Sequence, residues 1–152
     1  MIKILFGLLI LGVSLMAKVT NIPVTVEFVK SHKMKIIDIR TEAEWKEKGV
    51  IEDAYLITFF DEQSKYDIDS FLKKLNNIVK KDEQFAIICN SSSRTRLISN
   101  FLGKKLDYDV VNLIGGMDKL VEEGYKVKVY NPTRVTKDKI VLEDNNATTS
   151  KI

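Results

Sequence analysis

Cys89 is the only cysteine of the 152-residue chain. It follows the apolar run Phe85–Ile88, and the residues after it are small and polar up to an arginine and a threonine: Asn90, Ser91, Ser92, Ser93, Arg94 and Thr95. In an open α/β sheet, ligands bind beyond the carboxyl ends of the strands, where the next helix presents unpaired backbone N–H groups. This position is typical of a nucleophilic thiol, although an inert buried cysteine remains the alternative.

The loop after Cys89 is suited to stabilising a negative charge. If it curls back over the cysteine, the amides from Ser91 to Thr95 converge on the sulfur, and a helix beginning near Arg94 adds its positive end. Both effects favour the thiolate, which is the attacking form. Arg94 either anchors the loop through a carboxylate or contacts the ligand, and the two roles are compatible.

The length of the loop bears on the group that it would hold. Four residues separate Cys89 from Arg94. A longer loop is typical of phosphatases, in which it surrounds a tetrahedral phosphate held by the arginine. The shorter loop favours a smaller transferred group, a sulfane sulfur, and leaves an arsenate reductase or phosphatase as an alternative.

Strand and helix patterns alternate along the rest of the chain. Short apolar runs predict strands at 34–39, 54–60, 85–88, 110–114 and 127–130. Helical patterns lie between these runs, without two-residue hairpin turns. The alternation predicts an α/β fold with a central parallel sheet and helices on both faces.

The helix boundaries carry their own signals. Thr41 and Glu44 form a capping box ahead of a helix that Gly49 closes, and Asp67 is an N-cap for a helix beginning at Ile68. The helix after Cys89 and the one after the turn at 115–116, which Gly124 ends, show apolar stripes. Those stripes are Leu97, Ile98, Phe101, Leu102 and Leu106 in the first helix, and Met117, Leu120 and Val121 in the second.

Taken together, these residues resemble the rhodanese-like (sulfurtransferase) domain family between about residues 22 and 128. The matching segments are Asp38-Ile39-Arg40, Glu44-Trp45, Gly49-Val50-Ile51, Ala54, Cys89-x4-Arg94-Thr95 and Asn112-Leu113-Ile114-Gly115-Gly116-Met117. The resemblance implies a three-layer fold with a parallel sheet of about five strands. It also implies a persulfide on Cys89, loaded from a small sulfur anion such as thiosulfate or polysulfide. The acceptor would be cyanide or a thiol, including one on a partner protein, and no cofactor is required.

The chain departs from the family pattern inside the loop. Ser92 occupies a position that is often glycine, and a non-glycine residue held at positive φ costs on the order of 1 kcal/mol. Asn90 replaces a common arginine, which leaves the identity of the donor open. Val50 stands where many relatives have histidine, a residue that usually belongs to the fold rather than to the chemistry.

Other site residues have a structural interpretation beside the functional one. Arg40 ends a predicted strand and could reach the crevice, but an ion pair is the favoured role. His32 is the only histidine and lies in a polar segment, so no metal site is predicted. The serines lack a G-x-S-x-G turn and a partner histidine, which argues against a serine hydrolase. A non-catalytic binding module remains a further alternative.

The composition indicates one globular domain, with 45% hydrophobic and 30% charged residues. Residues 1–17 are predicted to be a signal peptide, residues 18–130 the rhodanese-like domain and residues 131–152 a polar, flexible tail. The apolar segment 4–17 would span about 21 Å as a helix, too short for a membrane span. We therefore expect export to a bacterial periplasm or secretion. Without residues 1–17 the chain has a formal charge of +2, which favours neither nucleic acid nor a membrane surface as a partner.

Overall fold

A computed structural model describes residues 19–31 and 33–132. The predicted signal peptide, His32 and residues 133–152 of the predicted tail lie outside the described residues. The sheet has five parallel strands in the order β1-β5-β4-β2-β3. These strands are β1 Val19–Pro23, β2 Ile36–Asp38, β3 Tyr55–Leu56, β4 Phe85–Ile88 and β5 Val110–Ile114. The predicted α/β class with a five-stranded parallel sheet is confirmed.

Within the described residues, five helices accompany the strands: α1 Val26–Ser31, α2 Glu42–Lys48, α3 Ile68–Asn76, α4 Ser93–Leu106 and α5 Gly116–Glu122. The buried side chains form two hydrophobic clusters. One contains residues of α3 and α4, such as Leu75 and Leu102, and the other contains residues of α5, such as Leu120. Because the sheet separates the two clusters, helices cover both of its faces, as the sequence predicted.

The alternation of side chains along β4 decides where the cysteine lies. Phe85 and Ile87 belong to the α3/α4 cluster, whereas Ala86 and Ile88 belong to the α5 cluster. Successive side chains of a strand point to opposite faces, and Cys89 continues the first series. Cys89 is accordingly part of the α3/α4 cluster.

The predicted helix boundaries are confirmed where they rest on capping. Thr41 Oγ1 accepts a hydrogen bond from the Glu44 amide, and Glu44 Oε2 accepts one from the Thr41 amide at 2.8 Å. Gly49 ends α2 with a φ of 73°, in the region that favours glycine. Asp67 Oδ1 accepts from the Ser70 amide at 3.0 Å and caps α3.

The predicted strand at 127–130 is wrong. Lys128 forms only an isolated antiparallel bridge with Val50. The fifth strand of the sheet is instead β1, which lies at the edge beside β5. The sequence of β1, Val-Thr-Asn-Ile-Pro, is not the continuous apolar run that predicts a buried strand. An edge strand is only partly buried, so polar residues are tolerated in it. Its Asn21 accepts a hydrogen bond at 2.9 Å from Asn112 of β5, so two polar side chains meet across the paired strands.

Two further expectations need correction. The strand predicted over 54–60 is limited to Tyr55–Leu56, although the amides of Ile57 and Phe59 still donate to Asp38 and Ile39. Leu97, assigned above to the apolar stripe of α4, is 63% exposed.

In the part of the chain that the structure describes, no helix has the length and hydrophobicity that a membrane span requires.

Candidate active site

Cys89 lies between the end of β4 and the start of α4, and its side chain is fully buried. Its thiol lies 3.8 Å from Thr95 Oγ1, and the Thr95 hydroxyl in turn donates to the Ser92 carbonyl at 3.2 Å. The side chain of Thr95 is fully buried as well. The loop therefore closes over the cysteine rather than opening away from it.

Ser92 forms the turn that leads into α4. Its φ is 67° and its ψ is 4°, a left-handed conformation that favours glycine. Its carbonyl accepts from the Arg96 amide at 3.1 Å, which starts the helix. The chain thus adopts the turn despite the missing glycine, at a strain of about 1 kcal/mol.

The start of α5 contacts the other side of the loop. The Met117 amide donates to the Cys89 carbonyl at 2.9 Å, and the Asp118 amide donates to the Asn90 carbonyl at 2.9 Å. A Cβ on Gly116 would lie 2.4 Å from the Cys89 carbonyl oxygen and 2.2 Å from that of Asn90. Only glycine allows this approach. The sequence showed Gly115-Gly116 as a sharp turn but did not reveal this contact.

Arg94 and Asn90 both bind Glu44. The Arg94 guanidinium donates to Oε2 at 2.8 Å and to Oε1 at 2.5 Å, and the Asn90 amide donates to Oε1 at 2.6 Å. Glu44 is therefore a component of the site that sequence reasoning missed, because its role in the capping box already accounted for it. Asn90 could not signal the contact either, since the two residues are far apart in the chain.

The charges of this pair stabilise each other. Burial acts to raise the pKa of Glu44, but hydrogen bonds from Arg94 and from the Thr41 amide, together with the charge of Arg94, lower it to about 2. The hydrogen bond to Glu44 raises the pKa of Arg94, against the effect of burial. An interaction with Cys89 contributes to the same rise. The guanidinium is therefore held against the Glu44 carboxylate.

Arg40 is fully buried in an ion pair. Its guanidinium donates to Asp38 Oδ2 at 2.7 Å and to the Gly49 carbonyl at 2.8 Å. Nη1 of Arg40 also lies 3.4 Å from Asn90 Oδ1. Arg40 thus contacts Asn90, the residue after the cysteine. Its hydrogen bonds to Asp38 and to the Gly49 carbonyl satisfy its buried charge.

The remaining loop residues lie at the surface. Ser91 and Ser93 are exposed, and their hydroxyl oxygens lie 3.3 Å apart. The seven candidate residues from Cys89 to Thr95 therefore form one continuous turn, in which only Ser91 and Ser93 are exposed. Among residues 19–31 and 33–132, no group of three His, Cys, Asp or Glu side chains is placed to hold a metal ion.

A family model described as "Rhodanese-like domain" matches residues 26–123, nearly two thirds of the sequence. The chain belongs to the rhodanese-like domain family. The match contains the whole loop from Cys89 to Thr95, as well as Glu44 and Gly116. No curated protein matches the chain.

Solved rhodanese-like structures share this fold. A rhodanese-like domain protein from Staphylococcus aureus has 27% sequence identity and a TM-score of 0.53, and the match covers 72% of this chain and 98% of that one. A rhodanese-related protein from Thermoplasma volcanium has 24% identity and a TM-score of 0.52, with 71% and 98% covered. The rhodanese-like fold therefore accounts for nearly all of these two single-domain chains.

Proposed function

We propose that this rhodanese-like domain is a sulfurtransferase that carries sulfane sulfur as a persulfide on Cys89. The observation that carries the proposal is the placement of the only cysteine. It follows a central strand, precedes a 14-residue helix and lies in a loop whose arginine, Arg94, is held by Glu44. The N-terminus of α4 carries a partial positive charge, which favours an anion at this position.

The proposed reaction has two steps. The Cys89 thiolate attacks the outer sulfur of thiosulfate, a sulfur–sulfur bond forms, and the bond to the sulfonate sulfur breaks, so that sulfite leaves with the electron pair. Cyanide or a thiolate then attacks the outer sulfur of the persulfide. The electron pair returns to Cys89 as thiolate, and thiocyanate or a new persulfide leaves. Neither step needs a metal or an organic cofactor.

Complete burial of the thiol constrains how a donor reaches it. Cys89 has an exposed fraction of 0% and lies in the same hydrophobic cluster as Ile39 and Phe59. The loop presents Ser91 and Ser93 to solvent, and we propose that a donor anion enters when this part of the loop moves aside.

Intact-mass spectrometry tests the proposal. The protein is incubated with thiosulfate or polysulfide, and we expect one added sulfur atom that cyanide removes as thiocyanate. Cys89→Ser should remain folded and gain no sulfur, while Ser99→Ala, altered further along the same helix, should load normally. A folded protein that gains no sulfur from either donor would contradict the proposal and favour a non-catalytic binding module.

Phosphatase-like chemistry is the second candidate. A structure from Rhodopseudomonas palustris, described as a possible tyrosine phosphatase of unknown function, has 21% identity and a TM-score of 0.51, a likeness of fold alone. Both terminal nitrogens of Arg94 already bind Glu44, so the guanidinium is not directed at a phosphate. Hydrolysis of p-nitrophenyl phosphate that requires Cys89, without sulfur loading, would favour this candidate.

We also propose that the domain acts after export. The support is the charged and apolar pattern of residues 1–17, which is typical of a secretory signal. Fractionation of cells that express the full chain should place the mature domain in the periplasm or the medium, with an N-terminus near residue 18. Recovery in the cytoplasm with residues 1–17 intact would contradict export.

A further inference from the structure

Glu44 neutralises the only charged residue of the loop. Between Cys89 and Thr95 the chain has a single charged side chain, that of Arg94. Both of its terminal nitrogens donate to the Glu44 carboxylate, at 2.8 and 2.5 Å. The pKa of Glu44 is lowered to about 2, so the carboxylate is ionised throughout the neutral pH range. The positive charge of the loop is therefore matched by one negative charge.

The same carboxylate contacts the residue next to the cysteine. The Asn90 side-chain amide donates to Glu44 Oε1 at 2.6 Å, and Asn90 follows Cys89 directly in the chain. Asn90 is itself neutral and adds no positive charge. A negative charge is thus fixed against the neighbour of the nucleophile, where it repels an approaching anion.

Two neighbouring cations are paired with carboxylates as well. Nη1 of Arg40 lies 3.4 Å from Asn90 Oδ1, and the Arg40 guanidinium binds Asp38 Oδ2 at 2.7 Å. Lys48 lies 3.1 Å from the carboxylate of Asp118, whose amide donates to the Asn90 carbonyl. Among these groups the charges cancel in pairs. The N-terminus of α4 adds a partial positive charge of about half an elementary unit.

The surroundings of the sulfur penalise a second negative charge on a donor. Cys89 is fully buried and shares a hydrophobic cluster with Ile39 and Phe59. Moving an ion from water toward apolar surroundings is unfavourable unless an opposite charge compensates it, and the penalty grows with the square of the ion's charge. A partial charge of about half a unit compensates one negative charge better than two. The site is therefore suited to a donor with a single negative charge.

We propose that Glu44 is a specificity-determining residue: by holding Arg94, it makes the loop select sulfane-sulfur donors with one negative charge over dianions such as thiosulfate. The selected class consists of singly charged organic donors, namely hydropersulfide and thiosulfonate anions. The assignment rests on the proposed function, because it concerns the donor that forms the Cys89 persulfide. Without the carboxylate, the guanidinium would be available to a second negative charge on the donor.

The loading step is balanced for both classes of donor without a further reactant. The Cys89 thiolate attacks the outer sulfur of the donor, a sulfur–sulfur bond forms at Sγ, and the donor's own sulfur–sulfur bond breaks. A thiolate leaves with the electron pair from a hydropersulfide anion, a sulfinate from a thiosulfonate, and sulfite from thiosulfate. The persulfide that forms on Cys89 is the same in each case, so the donors can be compared by rate alone.

A matched pair of donors tests the selectivity of the wild-type protein. Methanethiosulfonate is thiosulfate with a methyl group in place of one oxyanion, so it carries one charge instead of two. Initial rates of sulfinate or sulfite release by the protein are divided by those of mercaptoethanol, which corrects for intrinsic reactivity, and intact mass confirms loading. We expect a corrected preference of about tenfold for methanethiosulfonate, which falls as added salt rises from about 0.02 to about 0.5 M. Equal corrected rates, or a preference that salt does not change, would overturn the proposal.

Charge-removing variants assign the preference to Glu44. Glu44→Gln should reduce it by about tenfold, because Arg94 can then bind the second negative charge of thiosulfate. Any distortion of the loop slows both donors and cancels in the ratio. Glu42→Gln removes the same charge from the same helix, where Glu42 pairs with Lys46, and should keep the wild-type preference. Arg96→Gln, which removes an exposed cation one residue beyond the loop, should keep it too.

A variant of the opposite sign completes the test. Arg94→Gln leaves the charge of Glu44 unopposed, so the preference for methanethiosulfonate should rise, and this result does not depend on the folding of Glu44→Gln. A preference that neither of these two variants changes, or that Glu42→Gln or Arg96→Gln abolishes, would overturn the role of Glu44. Failure of both donors to load the folded wild type would instead contradict the proposed function.

Discussion

Glu44 holds Arg94 by both terminal nitrogens, at 2.8 and 2.5 Å. The same carboxylate accepts from the Thr41 amide at 2.8 Å and thereby caps α2. One side chain therefore joins the start of a helix to the loop after Cys89. Because each contact positions the other, we expect the geometry of the loop to depend on a residue that does not belong to it.

Arg94→Lys should not be conservative. A lysine ammonium cannot reproduce the two parallel hydrogen bonds of the guanidinium. We expect the free energy of unfolding to fall by about 1–2 kcal/mol and sulfur loading to slow by about tenfold or more. Urea unfolding and timed mass spectrometry measure these two effects. Arg96→Lys, at an exposed position of the same helix, is the control, and equal behaviour of the two variants would contradict the role of the pair.

The low pKa of Glu44 predicts a dependence of stability on pH. Its folded-state pKa of about 2 lies below the ordinary value, so the ionised side chain stabilises the native state above about pH 4.5. That contribution is lost as the pH falls toward 2. Glu44→Gln should therefore be less stable than the wild type at pH 6, by about 1–2 kcal/mol after allowance for solvent screening.

Urea unfolding of both proteins between pH 6 and pH 2.5 measures this difference. Glu42 and Glu83 also have lowered pKa values, so both proteins lose stability in acid. Only the difference between them reports on Glu44, and it should shrink as the pH falls. A difference that stays constant across this range would mean that the charge of Glu44 does not provide the stabilisation.

The parts of the fold that could be predicted are those with local causes. Phe85–Ile88 is buried on both faces and reads as an uninterrupted apolar run, and the caps at Thr41 and Asp67 involve residues within one helical turn. β1 could not be predicted in this way. Its place depends on pairing with β5, about ninety residues later, and its half-polar sequence carries no local signal.

The candidate site divides in the same manner. The residues of the loop from Cys89 to Thr95 are consecutive in the chain, so their types alone are enough to identify the loop as a candidate site. The contact of Glu44 with Arg94 spans fifty positions, and that of Gly116 with the Cys89 carbonyl depends on how β4 and β5 end. Such contacts are properties of the assembled sheet edge, and a single sequence does not reveal them.

Ser92→Gly should stabilise the domain. Ser92 has a φ of 67°, and glycine adopts this conformation without the steric cost of a Cβ. The gain of about 1 kcal/mol is offset in part by the greater freedom of glycine in the unfolded chain, so we expect a net increase of about 0.5 kcal/mol in the free energy of unfolding. Ser92→Ala keeps the strain and should show no increase. A more stable alanine variant would show that the serine hydroxyl, rather than the backbone, is unfavourable.

Gly116→Ala should disrupt the loop from the opposite side. The added methyl group would lie 2.2 Å from the Asn90 carbonyl oxygen and 2.4 Å from that of Cys89, and both atoms belong to the backbone and cannot turn away. Gly124→Ala is the matched control, because that glycine also has a positive φ, of 91°, but has no atom within 4 Å of the new methyl group. We expect the control to lose about 1 kcal/mol from backbone strain alone.

We expect Gly116→Ala to lose at least about 3 kcal/mol, since it adds a steric clash to the same strain. Thermal or urea unfolding of the two variants separates the cost of the steric clash from the cost of the backbone strain. If Gly116→Ala still folds, its Cys89 should load sulfur more slowly than that of Gly124→Ala, because the carbonyls of Cys89 and Asn90 must move away from the amides of Met117 and Asp118. Equal stability of the two variants would mean that α5 does not press on the loop, and the cysteine would then be positioned by Glu44, Arg94 and Arg40 alone.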